Sequence, residues 1–140
     1  MLSFEEVGEM LDDIADELPE DFFKELNGGV SLLPDVRLHP DSGQPGGLYT
    51  MGEYRVERGM GRYINIYYGS FAAVHPRSSP EQLKRELRKT LLHEFTHHLE
   101  SLAGERGLEI EDKIKLERYK SQHHMGPDKY KADKKIRNEE

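Results

Sequence analysis

The chain contains no cysteine among its 140 residues. This absence excludes disulfide bridges, thiolate metal ligands and a cysteine nucleophile. Long apolar runs are also missing, so the sequence predicts no membrane-spanning segment. The acidic start of the chain lacks the apolar core of a signal peptide. We therefore expect a cytoplasmic protein that makes no membrane contact.

The chain also has fewer basic than acidic residues. The chain has 20 Lys and Arg against 27 Asp and Glu, which gives a formal net charge of −7. Proteins that bind nucleic acids need positive charge to face the phosphate backbone, so we expect no nucleic-acid partner. The length suits one domain with a sizeable core, and the sequence sets no oligomeric state.

The most informative motif is the pentad His93-Glu94-Phe95-Thr96-His97, an H-E-x-x-H pattern. Residues four apart share one face of a helix, so both imidazoles can reach one metal ion. Glu94 stands beside them, where it can take a proton from a water on that ion. The motif predicts a zinc site with His93 and His97 as ligands and Glu94 as the catalytic base.

The sequence around the pentad is typical of a long helix. Ser79 is a good N-cap, Pro80 suits the first helical position, and Gln82 completes a capping box. Ala103-Gly104 offers a stop signal. The two histidines fall beside the apolar stripe, so they can open onto a cleft while the helix is anchored in the core. That stripe consists of Leu83, Leu87, Leu91, Phe95, Leu99 and Leu102.

The remaining pattern predicts an α+β fold, with a small mixed β-sheet packed on the motif helix and additional helices. Ser3 and Glu6 form a capping box for an acidic helix, whose charged side is a solvated face. His123-His124, in a polar tail, could bind metal adventitiously. We predict helices over 3–18, 19–26 and 108–119, and strands over 30–33, 36–39, 48–51, 53–56 and 62–68, the last continuing over 71–74.

A catalytic zinc usually takes three protein ligands, and the third is open in this sequence. One common pattern places a glycine and then a ligand three and six residues after the second histidine. Those positions hold Glu100 and Ala103 here, and alanine cannot ligate. Glu100 lies on the same rigid helix as both histidines, and three ligands from one straight helix reach one ion poorly. A following segment supplies further carboxylates, namely Glu105, Glu109, Glu111, Asp112 and Glu117.

Other segments extend the motif into a longer pattern. The pentad continues as His98, an acidic first helix ends at Asp16-Glu17-Leu18-Pro19-Glu20, and Ile64-Asn65-Ile66-Tyr67 precedes a turn at Gly69. Gly47-Leu48-Tyr49 opens a strand between them. In these features the chain resembles the small zincin-like metallopeptidases of bacteria, which carry H-E-x-x-H-H near the end of a short domain. The resemblance covers residues 1–120, and 121–140 would form a flexible polar tail.

This resemblance implies a zinc hydrolase that cleaves peptide bonds in a peptide or protein substrate. Many members carry a glycine and then an acidic residue soon after the second histidine, whereas this chain has Leu99-Glu100-Ser101-Leu102-Ala103-Gly104. The acidic ligand must therefore come later in the chain. By analogy it is Asp112, and Glu109 and Glu105 are the next candidates. Two alternatives stay open: a non-catalytic zinc-stabilised binding module, and a metal-dependent hydrolase of another bond such as an RNA phosphodiester.

Overall fold

The computed structural model describes residues 1–39, 48–106 and 118–119. Within these ranges, three α-helices and a 3-10 helix accompany a three-stranded mixed sheet. The predicted α+β class is therefore confirmed. The elements in chain order are α1 (Phe4–Glu17), the 3-10 helix (Glu20–Phe23), β1 (Gly29–Leu33), β2 (Gly52–Glu57), β3 (Gly61–Tyr67), α2 (Tyr68–Val74) and α3 (Pro80–Arg106).

Helix α1 starts where its capping box predicts. The backbone N–H of Glu6 donates to Ser3 Oγ, and the Ser3 N–H donates to the Glu6 carboxylate. Both bonds satisfy amide groups that the first turn of a helix leaves without partners. The apolar side packs into the core through Val7, Leu11 and Ile14. The acidic residues of α1 are all exposed, as a solvated face requires.

The sheet has the strand order β1-β3-β2, with β1 parallel and β2 antiparallel to β3. A tight turn joins β2 to β3, and Gly59 and Gly61 take positive φ angles there that suit glycine. Ile64 and Ile66 of β3 are completely buried in the core that α3 shares. Among the described strands, β2 is an outer strand, and it makes more contact with α3 than β3 does.

Helix α3 is the long predicted helix, and its cap is confirmed by the bonds from Gln82 N to Ser79 Oγ and from Ser79 N to Gln82 Oε1. All six residues of the predicted apolar stripe are buried. The predicted stop at Ala103-Gly104 is wrong, because α3 continues to Arg106. A glycine in an exposed last turn costs about 1 kcal/mol relative to alanine, which is too little to end a long helix by itself.

The prediction that the last strand continues over residues 71–74 is wrong, because these residues belong to α2. A Cβ on Gly69 would lie 2.6 Å from the Asp35 carbonyl oxygen, so only glycine lets the first turn of α2 approach that backbone. Ala72 and Ala73 then favour the helix, and the completely buried Phe71 anchors it. The sequence signal missed here was the pair of alanines after a glycine that is needed for close packing.

Two further segments are less regular than predicted. Segments 36–39 and 48–51 form an isolated antiparallel bridge between Leu38 and Tyr49 instead of full strands. Segment 19–26 contains only the four-residue 3-10 helix. Pro34 ends β1 just before the first segment, because it removes a backbone N–H that the sheet would use. In the second segment Glu25 has a positive φ of 61°, which a continuing helix does not allow.

After α3 the chain returns to α1, because the Tyr119 hydroxyl donates to Glu17 Oε1 at 3.4 Å and its ring packs against the core. The rest of the helix predicted over 108–119, and the tail at 121–140, lie outside the described residues. In the parts of the chain that the structure describes, no helix has both the length and the apolar character needed to cross a membrane.

Candidate metal centre

His93 and His97 meet on one face of α3. Their Nε2 atoms lie 3.1 Å apart, and the rings cross at 82° with centroids 4.6 Å apart. Only 8% and 7% of the two residues is exposed. The spacing of one helical turn brings them together, so the two nitrogens converge on a common point as the pentad predicts.

This geometry fits two positions of a tetrahedral zinc site. With Zn–N distances of about 2.0–2.1 Å, two imidazole nitrogens on one zinc stand about 3.3–3.4 Å apart. The observed separation is within a few tenths of an ångström of that value. The same 3.1 Å also permits an N–H···N hydrogen bond between the rings in the metal-free protein. The pair can therefore exchange one shared proton for one shared metal ion.

Glu94 is completely buried, although it is a carboxylic acid. It follows His93 directly and lies about 100° further round the helix. Removing a carboxylate from water is costly, and folded proteins retain such groups where they are paired, hydrogen-bonded or bound to a metal. Buried titratable groups cluster at functional sites, so the burial of Glu94 beside two converging imidazoles makes it a candidate functional residue.

Glu100 lies at the edge of the His97 ring that faces away from His93. Its Oε1 lies 3.8 Å from Nδ1 of His97, whereas Nε2 of His97 faces His93. Its side chain is 58% exposed. In this arrangement Glu100 cannot reach the point on which the two Nε2 atoms converge, so the structure does not bring it together with the histidines as a third ligand.

The other candidates for the third ligand cannot be compared in the same way. Asp112, Glu109, Glu111 and Glu117 lie outside the described residues, and of Glu105 the structure describes only its place in α3. Over residues 1–39, 48–106 and 118–119, no group of three His, Asp or Glu side chains surrounds a possible metal position.

His98, the next residue, is held in the core by hydrogen bonds at both ring nitrogens. It is completely buried, and its Nε2 lies 2.8 Å from the carbonyl oxygen of Lys24. A carbonyl only accepts, so the ring donates Nε2–H, and Nδ1 accepts from the Tyr54 hydroxyl at 3.0 Å. Arg62 Nη1 donates to the same hydroxyl at 2.9 Å. Burial lowers the pKa of His98, which keeps the ring neutral.

Strand β2 lies alongside the motif. A Cβ on Gly52 would be only 3.1 Å from Thr90 Cγ2, so a glycine lets the strand approach α3 one turn before His93. Tyr54 reaches His98 one residue after the motif ends. These two contacts bracket the pentad. Sequence reasoning did not single out Gly52, Tyr54 or Arg62, because only the register of β2 against α3 gives them this position.

Comparisons with known proteins give a relationship without a function. No family model matches the chain, and no curated protein matches it. Among solved structures, it is similar to the conserved hypothetical protein TTHA0227 from Thermo thermophilus, at 35% sequence identity and a TM-score of 0.61. The match covers 74% of this chain and 99% of that one. This chain therefore belongs to the same family as that hypothetical protein.

Proposed function

We propose that this protein is a zinc-dependent metallopeptidase with a zincin-like domain. In this proposal His93, His97 and Asp112 bind the zinc ion, and Glu94 is the general base. The observation that carries the proposal is the 3.1 Å approach of the two Nε2 atoms beside a completely buried glutamate. Asp112 enters through the family resemblance, since the pentad supplies only two ligands.

A chance pair of histidines on a helix surface would not explain this geometry. Imidazoles that serve only as polar surface groups keep their nitrogens hydrated, whereas these two are more than nine-tenths buried and point Nε2 to Nε2. Neutral imidazole is the commonest metal ligand in proteins. The lack of cysteine leaves imidazole and carboxylate as the available zinc ligands, a set that zinc hydrolases use.

The chemistry follows from the groups in place. A zinc ion at this site would lower the pKa of a bound water to about 7 and polarise the carbonyl of the scissile bond. Glu94 accepts the proton of the attacking water and returns it to the leaving amine. Its burial strengthens this role, because electrostatic interactions gain strength away from solvent. His93 and His97 would hold the zinc ion through their Nε2 atoms and so fix its position beside Glu94.

An extended peptide fits the surroundings of this site. β2 is an outer strand among those described, and its contacts at Thr90 and His98 place it along the part of α3 that bears the motif. Peptides commonly bind to such strands by adding one more strand to the sheet. We propose that the substrate binds in extended form alongside the motif helix by adding a strand to the sheet, and so presents a peptide bond to Glu94.

The test compares the wild type with Glu94→Gln on a broad library of quenched fluorescent peptides. The glutamine keeps the shape but cannot accept a proton, so zinc content should stay the same and hydrolysis should fall about a hundredfold or more. Glu81→Gln, in the exposed first turn of α3, is the matched control and should retain full activity.

Three results would contradict the proposal. Equal turnover by wild type and Glu94→Gln would show that Glu94 is not the general base. Absence of hydrolysis by a zinc-loaded wild type would favour the non-catalytic zinc module. If the wild type cleaves RNA instead of peptides and Glu94→Gln does not, the protein is a metal-dependent hydrolase of phosphodiester bonds and not a peptidase.

A further inference from the structure

We propose that Glu100 is a positioning residue that selects the tautomer of His97. In this role its carboxylate holds the ring proton on Nδ1, and Nε2 is left with its lone pair directed at the metal position. The inference rests on the proposed function for the identity of the metal. It goes beyond that function by giving a task to a residue that neither binds the ion nor touches the substrate.

The two nitrogens of His97 have different neighbours. Nε2 faces His93 Nε2 at 3.1 Å, and Nδ1 faces Glu100 Oε1 at 3.8 Å. A neutral imidazole carries one proton, on one nitrogen or the other. An ionised carboxylate only accepts, so its place beside Nδ1 favours the tautomer that is protonated there.

This choice of tautomer is what a metal ligand needs. A metal-binding histidine uses the lone pair of one nitrogen, and its other N–H commonly points to a carboxylate that fixes the ring and makes the ligand more basic. Glu100 and His97 are three residues apart on α3, a spacing at which helix side chains meet. The helix itself therefore presents both the ligand and its orienting group.

The geometry also sets the size of the effect. At 3.8 Å the contact is electrostatic and too long for a hydrogen bond. The carboxylate is more than half exposed, and solvent weakens such pairs. Orienting carboxylates contribute about tenfold to a hundredfold in metal affinity, and we expect Glu100 at the lower end of that range.

The tautomer can be measured in the metal-free protein, independently of zinc and activity. Nitrogen-15 NMR of protein labelled at histidine distinguishes Nδ1–H from Nε2–H. The wild type should show His97 protonated at Nδ1, with His93 donating its Nε2–H to His97 Nε2. Glu100→Ala should lose this preference, and Glu100→Gln, which retains an acceptor oxygen, should keep part of it. Glu81→Ala, exposed on the same helix, should match the wild type.

Zinc titration gives the second readout. Glu100→Ala should bind one zinc per chain about tenfold more weakly than the wild type, and Glu81→Ala should bind as the wild type does. The proposal is overturned if His97 shows the same tautomer in the wild type and Glu100→Ala. It is also overturned if Glu100→Ala binds no zinc at all, since Glu100 would then be a ligand. If the wild type binds no zinc, the proposed function fails, while the NMR comparison still decides the role of Glu100.

Discussion

The hydroxyl of Tyr54 lies 3.0 Å from Nδ1 of His98 and joins β2 to the residue that directly follows the motif. The other nitrogen of His98 binds the Lys24 carbonyl, and Arg62 donates to the same tyrosine hydroxyl. One buried ring thus fixes α3 against a strand and against the turn after the 3-10 helix. This connection holds the rotation of α3, and with it the direction in which His93 and His97 face.

Removing this hydroxyl should weaken the fold. Tyr54→Phe leaves His98 Nδ1 without its donor in a buried position, which costs about 1–3 kcal/mol. We expect a loss of that size in the free energy of unfolding from urea denaturation. Tyr49→Phe is the control, since the Tyr49 hydroxyl makes no hydrogen bond within the described residues, and its cost should stay below about 0.5 kcal/mol. Equal losses in the two variants would contradict the assigned role of Tyr54.

Alkaline pH should weaken the fold through Tyr67. This tyrosine is completely buried, and its hydroxyl donates to Glu53. Burial, followed by the Glu53 carboxylate, raises the pKa of Tyr67 above its ordinary value of 10.0. The neutral phenol is therefore favoured in the folded state. Its stabilising effect is complete below about pH 10 and is lost as the pH rises above that value, where the unfolded chain releases the proton.

The variant Tyr67→Phe isolates this effect. Between about pH 9 and 11 the stability advantage of the wild type over Tyr67→Phe should shrink by about 1.4 kcal/mol, because above a pKa of about 10 the unfolded chain releases one proton that the folded chain retains. Urea denaturation at the two pH values measures it. A constant difference across this range would show that Tyr67 titrates alike in the folded and unfolded chain.

Zinc content should depend on the motif histidines. Protein purified without a histidine tag should hold about one zinc per chain, as a single catalytic site does. His93→Ala/His97→Ala should abolish binding, because it removes both converging nitrogens. His123→Ala/His124→Ala is the control and should keep full zinc. The reverse pattern in elemental analysis would move the site to the tail.

Asp112 and Glu100 should differ in their effect on zinc affinity. Asp112→Ala would remove the proposed third ligand and should weaken binding by more than about a hundredfold, whereas loss of the proposed orienting carboxylate at Glu100 should cost about tenfold. Competition titration with a chelator ranks the two. A larger loss for Glu100→Ala would exclude Asp112 and favour three ligands from one helix.

Local signals in the sequence predicted much of the fold correctly. The capping boxes at Ser3 and Ser79 fixed the starts of α1 and α3, because each cap is made by residues three apart in sequence. The strand over β3 followed from its β-branched and aromatic residues. Patterns of this kind need no knowledge of tertiary structure.

Other features depend on contacts between distant segments. The helix at Tyr68–Val74 was mistaken for a strand because the close packing of Gly69 on Asp35 is not visible in a local pattern. The Tyr54–His98 contact spans 44 residues and depends on the register of β2 against α3. In the candidate site, the pentad predicted the pairing of His93 with His97. The position of Glu100 at the other ring edge depends on a side-chain rotamer, which the sequence does not give.

The most direct test of the metal centre is anomalous X-ray scattering at the zinc edge from crystals of the zinc-loaded protein. We predict one peak per chain, at about 2.0–2.1 Å from both Nε2 atoms of His93 and His97. Absence of a peak between these two nitrogens, or a single peak elsewhere on the chain, would contradict the proposed site.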